Sequence, residues 1–205
     1  ILLLGLSLFY GLFPVARAAS RISRAMKDIG HAPELLDQAV QLDKLDPTAP
    51  NLAGRLYMRQ YEGAEQTNTG LLARAESYFR EAITRDPADF KNYENLARVY
   101  SSWAEASQGP DKEKMLAKAF QAALSAAEHY PGSGRLWLTC AKIAEQLGRK
   151  KAALEYYSRA VEIEDAYRAQ FKQMYPDKEL FSRLGEAKYQ LAKQKAKALS
   201  AGATP

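Results

Sequence analysis

The chain has 205 residues, of which 47% are hydrophobic and 26% charged, and a formal charge of +5 at pH 7. That length and apolar content can bury one domain-sized core or one array of stacked units. A single cysteine, Cys140, excludes an intrachain disulfide or a paired-cysteine site, and two distant histidines, His31 and His129, leave no ligand cluster for a metal.

The first element is an uncharged run, "ILLLGLSLFYGLFPVA", sixteen residues long and followed by Arg17, Arg21, Arg24 and Lys27. A bilayer span needs roughly 20 residues, so this run would need a few more before Ile1. As a membrane segment it would keep its basic flank cytoplasmic by the positive-inside rule. Two alternatives stand beside it: a signal peptide, because "ARA" at 16–18 resembles a small-x-small cleavage pattern, and an apolar helix packed on the rest of the chain. The flank also accounts for most of the charge. Four bases and one acid in residues 1–30 give +3 of the +5, which leaves +2 for residues 31–205. The remainder is nearly balanced, and its aromatics sit at core spacing rather than beside a basic stripe, which argues against nucleic acid as a partner.

Next, "APELLDQAVQLDKLDP" at 32–47 has helical spacing and reads as a second helix lacking its partner. Ala53, Leu56 and Tyr57 give a weak helical stripe, with Gln60 where an aromatic would be expected. Ala75-x3-Phe79-x2-Ala82 follows and ends at Pro87. Tyr93-x2-Leu96-Ala97-x2-Tyr100 is then followed by Ala119-x3-Ala123-x2-Ala126 and Pro131. Finally Trp137-x2-Cys140-Ala141-x2-Ala144 and Ala153-x3-Tyr157-x2-Ala160 form the most regular pair, with Gly148 as the break between them. Strand signals are missing, since no stretch alternates apolar and polar residues for long.

These paired stripes, best kept over residues 48–165, resemble the tetratricopeptide repeat (TPR), a helix-turn-helix unit of about 34 residues. The resemblance implies an all-α, TPR-type superhelical solenoid of about three repeats in 31–165, with a core of Ala75, Phe79, Ala82, Tyr93, Leu96, Tyr100, Trp137, Cys140, Ala153, Tyr157 and Ala160. Pro47, Pro87 and Pro131 are 40 and 44 residues apart, and the excess over 34 falls in polar stretches at 62–70 and 105–114, expected to be loops between paired helices. After Asp165 the chain should cap the array with residues 166–199. Pro176 would end one short helix and Asp177 would start another, whose apolar side is Leu180, Leu184, Tyr189 and Leu191. Residues 200–205 read as a disordered tail.

No phosphate loop, nucleophile elbow or zinc-helix motif occurs, so no catalytic residue, cofactor or metal is expected and the fragment reads as no enzyme. Cys140 falls in a slot where a repeat buries a small side chain, and His129 sits near a helix end. What remains is binding. The resemblance implies that first helices line a concave groove for a partner peptide. Between their core positions lie Arg55, Arg59, Lys91, Asn95, Arg98, Arg135 and Lys142, a mildly basic surface suited to an acidic peptide, though charged residues are also the ordinary cover of a helix. Met58 and Glu94 depart from the family's carboxylate-clamp set. Two functions therefore compete. One is a membrane-tethered interaction scaffold, its repeats cytoplasmic, or periplasmic if residues 1–18 are a signal peptide. The other is an accessory tail of a polytopic envelope enzyme, since the junction "PVARAASR" to "LDKLDPTAPNLAGRLYMRQY" resembles bacterial O-antigen ligase or polymerase-like proteins.

Overall fold

A computed structural model describes residues 2–64 and 68–201, with side chains from Leu12 onward. Among the described residues there are nine helices and no strand: α1 (Leu2–Lys27), α2 (Ala32–Leu42), α3 (Thr48–Gly63), α4 (Thr69–Arg85), α5 (Phe90–Glu105), α6 (Gly109–His129), α7 (Gly134–Gln146), α8 (Lys150–Met174) and α9 (Glu186–Ala201). The chain divides into two compact units, residues 1–106 and 107–205.

In the first unit consecutive helices pack as antiparallel neighbours, α1 on α2, α2 on α3, α3 on α4 and α4 on α5. The second half of α1 supplies the partner that the 32–47 helix lacked on paper. Ala25 packs with Ala32, Leu36 and Ala53, and Ala18 with Ala39, Val40 and Ala49, with Ile22 against both clusters. Ala18, Ile22 and Ala25 recur at four and three residues, one stripe of a helix. Ala32-x3-Leu36-x2-Ala39, all three buried, repeats the small-large-small pattern of Ala75, Phe79 and Ala82. These packed residues belong to the basic flank after Arg17, not to the uncharged run at 1–16. Among the described residues no helix is long and apolar enough to cross a membrane, and the side chains of residues 1–11, where most of the expected membrane segment falls, lie outside the described residues.

The weak stripe of α3 is corrected by one helical turn. Ala49, Pro50, Ala53, Gly54, Tyr57, Met58 and Tyr61 are buried, and within them Pro50-x2-Ala53-Gly54-x2-Tyr57 has the spacing of Tyr93-x2-Leu96-Ala97-x2-Tyr100. Tyr57 fills the aromatic slot, and Gln60 lies beyond the pattern. A proline at the start and a glycine inside the helix hid this, since neither registers as an apolar anchor. Arg85 ties α4 to the end of α2: its side chain is 4% exposed and its guanidinium donates to the carbonyls of Val40 at 3.0 Å, Asp43 at 2.7 Å and Asp46 at 2.9 Å, where the helix dipole favours a cation. The Asn68 and Asp89 side chains accept from the backbone N–H of Gly70 and Lys91 and so cap α4 and α5.

In the second unit α6 packs on α7, α7 on α8 and α8 on α9. Gly148 has φ +69, and the N–H of Arg149 reaches the Ala144 carbonyl at 2.9 Å, a left-handed helix stop that turns the chain directly into α8. The stretch expected as a loop at 105–114 is mostly helix, because Gly109 and Pro110 open α6 in its middle; proline is well placed at a helix start. The stretch at 62–70 does leave α3 at Gly63 and rejoin a helix at Thr69, with residues 65–67 outside the described set.

Of the expected core, Tyr93 and Trp137 are only half-buried. Each sends its polar edge back six residues, the Tyr93 hydroxyl to the Pro87 carbonyl at 3.1 Å and the Trp137 indole N–H to the Pro131 carbonyl at 2.9 Å. The remaining nine are buried. The region after Asp165 also departs from expectation. α8 runs on through it to Met174 and stops before Pro176 as foreseen, but no helix starts at Asp177. Residues 175–185 are irregular, Leu184 is buried within them, Leu180 is half-buried, and α9 begins only after Gly185 at φ +86. Tyr189 and Ala192 are its buried face, with Leu191 at the edge. Most of the expected disordered tail, residues 202–205, lies outside the described set.

Candidate functional site

The seven groove residues are divided between the two units. Arg55 and Arg59 lie on α3, Lys91, Asn95 and Arg98 on α5, and Arg135 and Lys142 on α7 of the second unit. The six basic ones are exposed and Asn95 is half-buried. In the first unit the Asn51 side-chain amide donates to the Asn92 side-chain oxygen, linking α3 directly to α5. Asn92 is buried, and its own Nδ2 has no hydrogen-bond partner among the described residues.

Arg55 and Arg59 stand at the edge of a groove between α1, α2 and α3, with a volume of about 290 Å³. Its floor is Ala25 and Leu36, its wall Leu52 and Leu56, and its mouth Met26 and Ile29. The two mouth residues are 71% and 70% exposed. Arg55 and Arg59, four residues apart on one face, have no ion-pair partner among the described residues. No carboxylate lines the groove. Asp28 stands close in sequence, but its carboxylate accepts from the His31 ring at 2.9 Å, and that bond holds its pKa below the usual range.

Polar contacts tie α3, α4 and their neighbours in the same unit. Tyr57 stacks on Tyr78 with ring centroids 5.6 Å apart, Arg74 donates to the Tyr57 hydroxyl at 3.1 Å, and the Tyr78 hydroxyl donates to Asp37. Tyr100 donates to Glu76 at 2.6 Å, and burial together with that bond pushes its hydroxyl up to about 12. The composition of the groove escapes a reading of the sequence because Met26 and Ile29 belong to the basic flank, which by itself points to a membrane. The spacing of Ala18, Ile22, Ala25 and Ile29 is the signal that could have found it.

In the second unit Arg135 borders a different cavity of about 520 Å³, next to Arg183, Tyr167 and Glu164. Arg183 lies over the Tyr167 ring at 4.4 Å. Glu164 is already committed, accepting from Arg168 at 3.1 Å, Ser182 at 2.6 Å and the backbone N–H of Leu184 at 3.0 Å. Lys142 lines neither cavity. Cys140 is fully buried, and desolvation pushes its thiol up to about 12, the opposite of what a nucleophile needs. Among the described residues no three His, Cys, Asp or Glu side chains gather as a metal site would require.

Comparison with known proteins agrees with the helical pairing. A sequence model of the tetratricopeptide repeat matches residues 134–167, the α7–α8 hairpin. Among solved structures, one of the protein MamA aligns with a TM-score of 0.59 and 21% identity, covering 80% of this chain and 79% of its own. MamA from Desulfovibrio magneticus, residues 41 to the end, aligns with a TM-score of 0.57 at 12% identity, covering 90% and 94%. A thermophilic TPR protein of Thermus thermophilus aligns with a TM-score of 0.51 at 17% identity, covering 94% and 92%. No curated protein sequence matches. The second resemblance, to O-antigen ligase-like tails, receives no support from these matches. A helix pair that fits the repeat at 134–167, inside a chain whose helices superpose on TPR proteins, makes this a protein of tetratricopeptide-repeat fold.

Proposed function

We propose that the chain is an interaction scaffold, not an enzyme, which holds an acidic segment of a partner protein on the first helices of its repeats and is kept at a membrane by its N-terminal helix. The observation that carries the proposal is the groove beside α3, an apolar cleft edged by two arginines without partners of their own among the described residues. Exposed arginines with planar donor forks suit carboxylates, and an apolar cleft supplies the burial that a purely charged surface cannot. Lys91 and Arg98 carry the same basic character on α5 of that unit, and Lys142 carries it separately on α7 of the second. The membrane part is favoured by Leu12, Phe13 and Val15, which are 60%, 48% and 46% exposed on α1 just ahead of Arg17, Arg21, Arg24 and Lys27.

Two measurements test this. Replacing Arg98 and Lys142 by glutamate should abolish capture of partner proteins from a lysate, and unchanged capture would sink the scaffold. The full chain should float with vesicles that contain anionic lipid, and a variant with Leu12, Phe13 and Val15 changed to serine should not. Equal flotation of both would remove the membrane role.

A further inference from the structure

Building on the scaffold reading, we infer that the cleft between α1, α2 and α3 is a pocket for one bulky apolar side chain of a partner segment, with Arg55 and Arg59 holding one or two carboxylates of the same segment. A cavity of roughly 150 Å³ suffices for benzene in a protein interior, so about 290 Å³ accepts a leucine, methionine or phenylalanine side chain with room to spare. The floor at Ala25 and Leu36 is buried and fixed, whereas Met26 and Ile29 at the mouth are free to close over an inserted group. Arg55 and Arg59 project from adjacent turns of α3, the spacing at which carboxylates three or four residues apart on a partner helix, or neighbouring ones on an extended strand, can be met. The absence of any acid in the lining leaves that positive field uncompensated at the pocket.

The alternative occupant, a second copy of this chain, is disfavoured by charge. Its own exposed apolar residues on α1, Leu12, Phe13 and Val15, are followed by Arg17, Arg21, Arg24 and Lys27, and seating them here would press those cations toward Arg55 and Arg59. An acidic segment meets no such repulsion.

Random 12-residue peptides displayed on phage, selected on the full chain and then synthesised with a fluorescent label, provide the test. Enriched peptides should share one bulky apolar residue with aspartate or glutamate within four positions. Their affinity should fall at least tenfold both with Met26→Asp/Ile29→Asp, whose side chains are exposed enough to leave the fold intact, and with Arg55→Gln/Arg59→Gln. Peptides that bind without acids, peptides insensitive to all four substitutions, a decanoate probe that competes as well as the peptide, or a dimer in sedimentation that only Met26→Asp/Ile29→Asp dissolves would each overturn the pocket assignment. Peptides lost with Arg98→Glu/Lys142→Glu but not with the pocket variants would overturn it while leaving the scaffold standing. Failure to enrich any peptide would overturn it as well.

Discussion

At position 54 the lack of a side chain lets α3 lie against Phe79: a Cβ there would stand 2.9 Å from the ring. Phe79 is fully buried and has no space to retreat, so Gly54→Ala gains up to ~1 kcal/mol of helix propensity but loses about 1–3 kcal/mol to overpacking. The expected outcome is a lower urea midpoint for the variant, read by circular dichroism. Cys140 makes the opposite kind of prediction, of silence. With its thiol pushed up to about 12 by burial, it should not react with a disulfide reagent at pH 8 in native buffer and should react fully in guanidinium. Of the two sites only one is legible in the sequence. The slot of Cys140 in the Trp137 pattern marked it as core, whereas Gly54 was invisible because a glycine contributes no hydrophobic signal, and its role exists only through Phe79 on another helix.

Between elements, one buried carboxylate decides the path of the chain after α8. "DKELFSRL" at 177–184 spaces its leucines as a helix would, yet Glu164 draws the Ser182 hydroxyl and the Leu184 N–H toward α8 and holds the segment irregular. No local pattern can report a partner twenty residues upstream, whereas Pro176 and Gly148 act on their immediate neighbours and marked helix ends directly. Glu164→Ala would orphan the Leu184 N–H, at about 1–3 kcal/mol, and trypsin cleavage after Arg183 should quicken about tenfold as that segment opens more often. The contact between α7 and α9 predicts a pH effect. The bond from Lys195, and then that from Tyr157, hold the Glu145 pKa below its ordinary value, so the stability it contributes is present above that ordinary value and is lost as pH falls from there through the lowered pKa. Lys195→Met should therefore flatten the acid side of the thermal-stability profile, by less than ~1 kcal/mol since both side chains are partly exposed.

For the whole molecule the division into two units sets where a perturbation is felt. Removing residues 1–30 strips Ala32, Leu36 and Ala53 of their cover, so hydrogen exchange should quicken in α2 and α3 and stay unchanged in α7 and α8. Uniform protection in the shortened chain would mean that α1 contributes no packing. The fold class was readable because alanine spacing in α4, α6 and α8 survives unchanged from repeat to repeat: those positions touch a neighbouring helix, and only small side chains fit. The groove was not, because its residues come from three different helices and the turn between two of them, and obey no common period.

The continuity of α1 carries a mechanical consequence. At about 1.5 Å per residue, its 26 residues run roughly 39 Å from Leu2 to Lys27, and Pro14, which has no backbone N–H to give, leaves one rung of the ladder unmade ahead of the half that anchors Ala18, Ile22 and Ala25 in the first unit. A helix transmits torque as well as position. Whatever grips the far end of this helix therefore also aims the arginine-edged cleft, with Pro14 as the joint where the column gives first, and two glycines inserted after Ala16 would turn a steering column into a loose tether.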